Sequence, residues 1–398
     1  MVNTDPKKIE EFLTRGVENI FPNKEFLQKR LASGKRLKMY MGIDPTGPTL
    51  HIGHAVPLKK LGEFQKLGHE VILLIGDFTA MIGDPDKTSV RKPLTRKQVL
   101  QNAACYKKQA SIFLQFGFGG AKIKYNSAWL EKMKFGDIVN LASKTTVDQM
   151  LKRDMFQKRM NEKKPIYNHE FLYPLMQGYD SVALDVDGEI GGNDQMFNML
   201  VGRDLEKNIL NKEKFVISTK LLADSTGTKM GKTEGNMVAL DDSAEEMLGK
   251  IMSWTDGMIL PAFEICTNVP MEEIEQIKKE MEAGANPRDL KMRLAKEIVT
   301  IYHGAEKAQK AEENFIETFK KGGVPEDIQE IKGENGKLLS EVLLGAKIVE
   351  SKSDFRRLVL EGAVSDAVSG EKITDPNYKI EKAITLRVGK KRFVRITL

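Results

Sequence analysis

His51 and His54 stand three residues apart in the run His51-Ile52-Gly53-His54, directly after the turn-rich segment DPTGPT. At the start of a helix, that spacing puts both imidazoles on one face. A helix N-terminus presents unpaired N–H groups and a partial positive charge, so it draws anions. Imidazole donors there can follow the charge that builds on a polyphosphate during reaction. Gly53 lets a bulky ligand approach the backbone, and Thr46 adds a hydroxyl from the preceding loop. Pro57 removes one intrahelical bond and should bend the helix. Two histidines at this spacing could instead ligate a metal, but no cysteine or H-E-x-x-H pattern supplies further ligands. A plain surface pair is the remaining reading.

Residues 223–237 read ADSTGTKMGKTEGNM, with Lys229 and Lys232 flanking Gly231 and Thr233 following. Lysines are movable point charges suited to phosphate. Gly227, Gly231 and Gly235 allow a loop that opens and closes. A P-loop competes; it needs G-x-x-x-x-G-K-[ST] between a strand and a helix. Gly231-Lys232-Thr233 matches its end, yet position 226 is threonine and EGNMVALDD is loop-like. A third group, Tyr173, Gln177 and Asp180, has i, i+4, i+7 spacing, which aligns it on one helix face. Such a stripe is either satisfied within the fold or the wall of a substrate pocket.

These groups need elements to hold them. RLKMYMGI, EVILLIGD, AKIKYN, SVALDV and KFVIST read as short strands, with helical segments between them. EVILLIGD is a continuous apolar run of the kind buried in parallel sheets. The alternation predicts an α/β fold with a Rossmann-like, doubly wound parallel sheet. Ligands of such sheets bind beyond the carboxyl ends of strands, where the strand order reverses. Residues 95–160 read as a mostly helical insertion, in two long stretches. From Asp241 to about Gly336 the pattern is helical and highly charged, a second, all-helical domain. IKGENGK reads as a linker, and a small α+β module follows. The expected domains are 1–240, 241–336 and 337–398.

The 398 residues are 41% apolar and 30% charged, enough to bury a core without disulfides. Two distant cysteines, Cys105 and Cys266, argue against a disulfide framework or a Cys-built zinc site. MVNTDPKKIEEFLTRG has neither signal nor transit character, and no apolar run reaches the ~20 residues of a membrane span. A soluble, cytoplasmic protein is expected. Residues 338–398 carry 12 Lys/Arg against 8 Asp/Glu. A basic module points to a polyanion such as nucleic acid, the alternative being a solvated face.

In this order, at opposite ends of one α/β domain, HIGH and the KMSKS variant Lys229-Met230-Gly231-Lys232-Thr233 resemble class I aminoacyl-tRNA synthetases. Further segments resemble the tyrosyl-tRNA synthetases in particular. These are Tyr40-x-Gly42-x-Asp44-Pro45-Thr46, Ile75-Gly76-Asp77-x-Thr79 with Ile82-Gly83-Asp84-Pro85, Tyr173-x-x-x-Gln177-x-x-Asp180, and Gly191-Gly192-Asn193-Asp194-Gln195. The resemblance covers nearly the whole chain. It implies that Tyr40 and Asp180 bind a phenol hydroxyl, that Asp84, Tyr173 and Gln177 hold an ammonium group, and that Gln195 lies near the reacting carboxylate. It implies ATP contacts from Thr46 and His51 to the terminal phosphates and from His54, Gly192 and Asp194 on the nucleoside side, with Gly42, Asp44 and Gly53 in the same motifs. Lys87, Arg91, Lys229, Lys232 and Thr233 would steady the departing pyrophosphate. Met41 stands where some relatives have cysteine, and Glu189 where some have glutamine.

The implied reaction is attack of the tyrosine carboxylate on the ATP α-phosphate, then transfer of tyrosine to the tRNA for tyrosine. It needs positioning and charge stabilisation rather than a side-chain nucleophile. Mg2+ would accompany ATP instead of sitting in a protein cage. Residues 351–364 resemble the alpha-L RNA-binding module, which implies phosphate contacts from Lys352, Arg356, Arg357, Lys390, Lys391 and Arg392. Gly362 allows the turn into a strand there. Likeness to the family also implies a homodimer packed through residues 110–160. The rivals are a tryptophanyl-tRNA synthetase, disfavoured by Tyr40 with Asp180, a non-catalytic RNA-binding paralogue, and a P-loop nucleotidase.

Overall fold

The computed structural model describes residues 2–84, 94–223, 237–320, 328–346, 348–367, 371–389 and 392–397. They form two compact units, Met1–Gly304 and Ala305–Leu398.

The first unit is built on six strands: β1 (Val17–Phe21), β2 (Lys38–Ile43), β3 (Glu70–Ile75), β4 (Lys122–Tyr125), β5 (Gly188–Gly192) and β6 (Phe215–Thr219). Their order is β1-β6-β5-β2-β3-β4. Neighbours are parallel throughout except β1, which runs antiparallel to β6 at one edge. The apolar runs of β3 and β6 are buried along almost their whole length, as strands covered on both faces must be. β4 closes the other edge with Lys122 and Lys124, and charge on an edge strand discourages pairing with foreign strands. From β2 the chain moves outward through β3 to β4, then returns to β5 and moves the other way to β6. The strand order therefore reverses between β2 and β5, where a crevice must open beyond their carboxyl ends.

Helices cover the sheet, and local chemistry fixes their ends. The helix Ile52–Lys66 starts at His51, whose Nδ1 accepts the Gly53 N–H at 3.2 Å. The helix Asn168–Leu184 starts with the Glu170 carboxylate accepting the Tyr167 N–H at 3.0 Å and ends at Asp185, in the left-handed region at φ 47°. It packs on the helix Met196–Leu210 through glycines. A Cβ on Gly178 would come within 2.9 Å of the Leu205 side chain and 3.1 Å of the Gly202 N. The insertion is helical but in short pieces: Arg96–Ala103, Tyr106–Ala110, Phe135–Ala142, Val147–Leu151 and Asp154–Asn161. Four further helices, Ala244–Met252, Ile259–Cys266, Met271–Glu282 and Pro287–His303, also belong to this unit. The first of them opens with a reciprocal cap between Ser243 and Glu246.

One expected strand is corrected. Ser181–Leu184 of SVALDV is the last turn of the helix Asn168–Leu184, and the strand is the glycine-rich GEIGG of β5. Glycine weakens a strand on its own account, but here close packing requires it. A Cβ on Gly188 would sit 2.1 Å from the Phe215 ring. β1 was likewise absent from the expected strands.

In the second unit the helix Ala305–Lys320 precedes a sheet of β7 (Gln329–Lys332), β8 (Val364–Asp366), β9 (Ile384–Val388) and β10 (Arg392–Thr397), in the order β7-β10-β9-β8. β7 pairs parallel with β10, so Ile331 and Lys332, which read as linker, belong to this sheet. The helices Leu339–Gly345 and Lys352–Leu360 pack Leu343, Phe355 and Val359 against Leu386 and Val394. Gly362, at φ +65°, makes the turn from helix to β8.

Candidate active site

A cavity of about 360 Å³ opens at the reversal between β2 and β5. Tyr40, Gly42 and Asp44 reach it from β2 and its end, Thr46 from the following loop, and His51, Gly53, His54 and Pro57 from the helix start. Asp84, Tyr173, Gln177 and Asp180 line it, as do Glu189, Gly192, Asp194 and Gln195. Residues drawn from Tyr40 to Leu222 thus share one space.

At the start of the helix Ile52–Lys66, the two imidazoles stack with ring centroids 3.8 Å apart. His51 Nδ1 accepts from Gly53 N, and His54 Nδ1 accepts from His51 N, each at 3.2 Å. An accepting Nδ1 leaves the proton of a neutral ring on Nε2. Both rings are therefore set as Nε2–H donors, the arrangement needed to meet anionic oxygens. The motif is anchored by the chain beyond the lysine segment: Ile52 N donates to Val238 O at 3.0 Å, and Leu240 N to Leu50 O at 2.8 Å.

Asp44 accepts the Tyr173 hydroxyl at 2.8 Å and the Thr79 hydroxyl at 2.7 Å. Burial lifts its carboxyl from the ordinary 3.8 to about 7, against the pull of those two donors. Gly76 makes room for it, since a Cβ there would meet Asp44 Oδ1 at 2.0 Å. Asp44 therefore orients Tyr173 while itself lining the cavity.

Asp180, 3% exposed, accepts Trp129 Nε1 at 2.8 Å and Asn126 Nδ2 at 3.3 Å. Burial pushes its carboxyl well upward while those two donors oppose the shift. Four lone-pair sites on a carboxylate leave it able to accept another donor from the cavity. Tyr40, fully buried, places its hydroxyl 3.0 Å from Ser181 Oγ. Asp84 is held by Gln195 Nε2 at 3.1 Å, Asn198 Nδ2 at 3.5 Å and Arg153 at 3.5 Å. Gln177 donates to Glu189 at 3.2 Å. One end of the cavity thus offers a carboxylate beside a hydroxyl, and the other offers N–H donors.

Lys87, Arg91, Lys229, Lys232, Thr233, Lys390 and Lys391 lie outside the described residues. In the second unit, Lys352, Arg356 and Arg357 share the helix Lys352–Leu360. Lys352 pairs with Glu341 at 2.8 Å and Arg357 with Asp354 at 2.8 Å, while Arg392 bonds the Ile348 carbonyl. Exposed ion pairs of this kind are worth little to stability. Among the described residues no cluster of three or more His, Cys, Asp or Glu could hold a metal ion, and no helix is long and apolar enough to cross a membrane.

Asn126, Trp129, Ser181 and Lys214, which hold the pocket side chains, were not anticipated. Their contacts join residues 33 to 141 positions apart, a separation that leaves no local pattern to read.

The fold with its switch-point cavity, stacked histidine pair and helix N-terminus defines a class I synthetase. The sequence pattern of the family "tRNA synthetases class I (W and Y)" matches residues 32–320, and the chain belongs to that family. Tyrosine–tRNA ligase of Carboxydothermus hydrogenoformans is 47% identical, covering 97% of each chain. Tyrosine–tRNA ligase 2 of Vibrio cholerae is 44% identical, again over 97% of each. Among solved structures, the C-terminally truncated mitochondrial tyrosyl-tRNA synthetase of Coccidioides posadasii aligns with a TM-score of 0.63 and 26% identity, covering 77% of this chain and 90% of that one.

Proposed function

We infer that the chain is a tyrosine–tRNA ligase: it activates L-tyrosine with ATP to tyrosyl-adenylate and pyrophosphate, then passes tyrosine to its tRNA. The observation that carries this reading is a single cavity holding His51 and His54 at one end and Asp180 beside Tyr40 at the other. The family and the near full-length relatives support it. They give no support to the tryptophanyl alternative.

Tyrosine lies with its phenol at Tyr40 and Asp180, and its ammonium at Asp84, Tyr173 and Gln177. Gln195 stands by its carboxylate. ATP lies across Gly42, Gly53, Gly192 and Asp194, with its phosphates over Thr46 and the Nε2–H groups of His51 and His54. The carboxylate oxygen bonds to the α-phosphorus as pyrophosphate departs. Lys87, Arg91, Lys229, Lys232 and Thr233 receive the departing charge. Fixed donors act here by stabilising charge that grows in the transition state. ATP arrives as its Mg2+ complex, whose ion keeps mainly phosphate and water ligands. Phenylalanine is rejected because it would leave buried polar groups unpaired.

The reading extends to a cytoplasmic homodimer packed through residues 110–160. The exposed Phe135, Val139 and Val147, at 81%, 52% and 64%, support an apolar contact there. Functionally, 1–240 is the catalytic domain, 241–336 reaches toward the anticodon, and 337–398 grips tRNA phosphates. The test is ATP–pyrophosphate exchange with tyrosine, tryptophan and phenylalanine in turn. Exchange driven by tyrosine alone is expected; equal or better exchange with tryptophan refutes the assignment.

A further inference from the structure

Behind the phenol end of the cavity lies a buried ionic cluster to which the mechanism above gives no task. Lys214 is fully buried and Glu189 is 2% exposed. Lys214 Nζ donates to Glu189 Oε2 at 2.5 Å and to Ser181 Oγ at 2.7 Å. It also lies 5.8 Å from the centroid of the Tyr40 ring. The space for it is made by Gly202, where a Cβ would fall 2.7 Å from Lys214 Nζ and 2.8 Å from Ser181 Oγ. A lysine this deep is rare, and well-packed apolar residues usually serve stability as well as a buried ion pair does. The pair therefore calls for a reason beyond stability.

The hydrogen-bond network supplies one. The Lys214 ammonium holds Glu189 and Ser181 together. Ser181 donates to Glu189 Oε2 at 3.4 Å, and its oxygen lies 3.0 Å from the Tyr40 hydroxyl oxygen. Glu189 also hydrogen-bonds Tyr40. One ammonium therefore braces both groups that seat the Tyr40 hydroxyl at the cavity. Without it, Glu189 and Ser181 lose their common partner, and the Tyr40 hydroxyl loses its fixed place beside a bound phenol.

We propose that Lys214 is a positioning residue for tyrosine selection: it braces Glu189 and Ser181 and so fixes the Tyr40 hydroxyl beside the substrate phenol. This rests on the placing of the phenol between Tyr40 and Asp180 given under the proposed function. Burial, reinforced by the charges of Glu189 and Asp180, holds the Tyr40 hydroxyl well above its ordinary range, so the hydroxyl keeps its proton.

The experiment compares three proteins in ATP–pyrophosphate exchange: wild type, Lys214→Met with Glu189→Gln, and Ser181→Ala. The double substitution removes both charges together and avoids stranding one in the interior. For each, kcat/KM is measured with tyrosine and with phenylalanine, alongside the KM for ATP. Loss of one directed hydrogen bond should lower the tyrosine-to-phenylalanine ratio about tenfold, with the KM for ATP changed less than twofold. An unchanged ratio in the double variant overturns the proposal and leaves the pair a packing device. If the double variant does not fold, Ser181→Ala decides alone, and an unchanged ratio there overturns the proposal equally. Failure of the functional reading is seen separately, as wild type showing no tyrosine-dependent exchange.

Discussion

Replacing Asp44 by asparagine keeps the shape of a side chain bonded to Tyr173 and Thr79 but removes its titration. Burial raises this carboxyl from 3.8 to about 7, with the charges of Asp84 and Asp77 adding to the rise. The folded chain then holds this proton more tightly than the unfolded chain does. The stability due to the protonated form is complete below about 4 and is lost as pH climbs toward 7. At 1.36 kcal/mol per tenfold, a rise from 3.8 to about 7 sets a limit of roughly 4 kcal/mol. Urea unfolding of wild type and Asp44→Asn at pH 4.5 to 8.5 measures it. The difference, wild type minus variant, should fall as pH rises and level off above about 7. A flat difference refutes the claim that burial dominates. A difference growing with pH means that the Thr79 and Tyr173 donors win.

Gly188→Ala places a methyl group 2.1 Å from the Phe215 ring at the centre of the sheet. It should destabilise the protein by about 1–3 kcal/mol or more and raise the KM for tyrosine through the neighbouring Glu189; urea unfolding and exchange kinetics report both. In the second unit, replacing Arg356 and Arg357 by alanine removes two proposed phosphate contacts. The slope of log binding against log salt for tRNA should shrink by roughly 1.5, with exchange rates in the absence of tRNA unaltered. A slope equal to wild type removes the pair from RNA contact.

The chemistry-bearing residues were legible because their spacing survives in one dimension. His51 and His54 needed only the helix start, and Tyr173, Gln177 and Asp180 only one helix face. The apolar runs of β2, β3 and β6 announced themselves. β5 did not, since its Gly188 answers to the Phe215 ring of another strand. SVALDV misled because an apolar run of that length suits a strand or a buried helical turn equally. Here the close packing at Gly178 and Gly202 decides for the helix. β1, with its polar VENIF pattern at the sheet edge, gained strand character from pairing with β6. Lys214 had no sequence signal at all. It stands before an apolar strand like any solvated lysine, and only the fold turns it inward.

The hydrogen bonds from Ile52 to Val238 and from Leu240 to Leu50 fasten the chain just past Lys229 and Lys232 onto the histidine motif. Before those lysines, Leu222 is itself on the cavity rim. The two flanks of that stretch of sequence therefore meet at one rim, so the seat of the histidine motif is completed only when chain from far beyond it has folded into place.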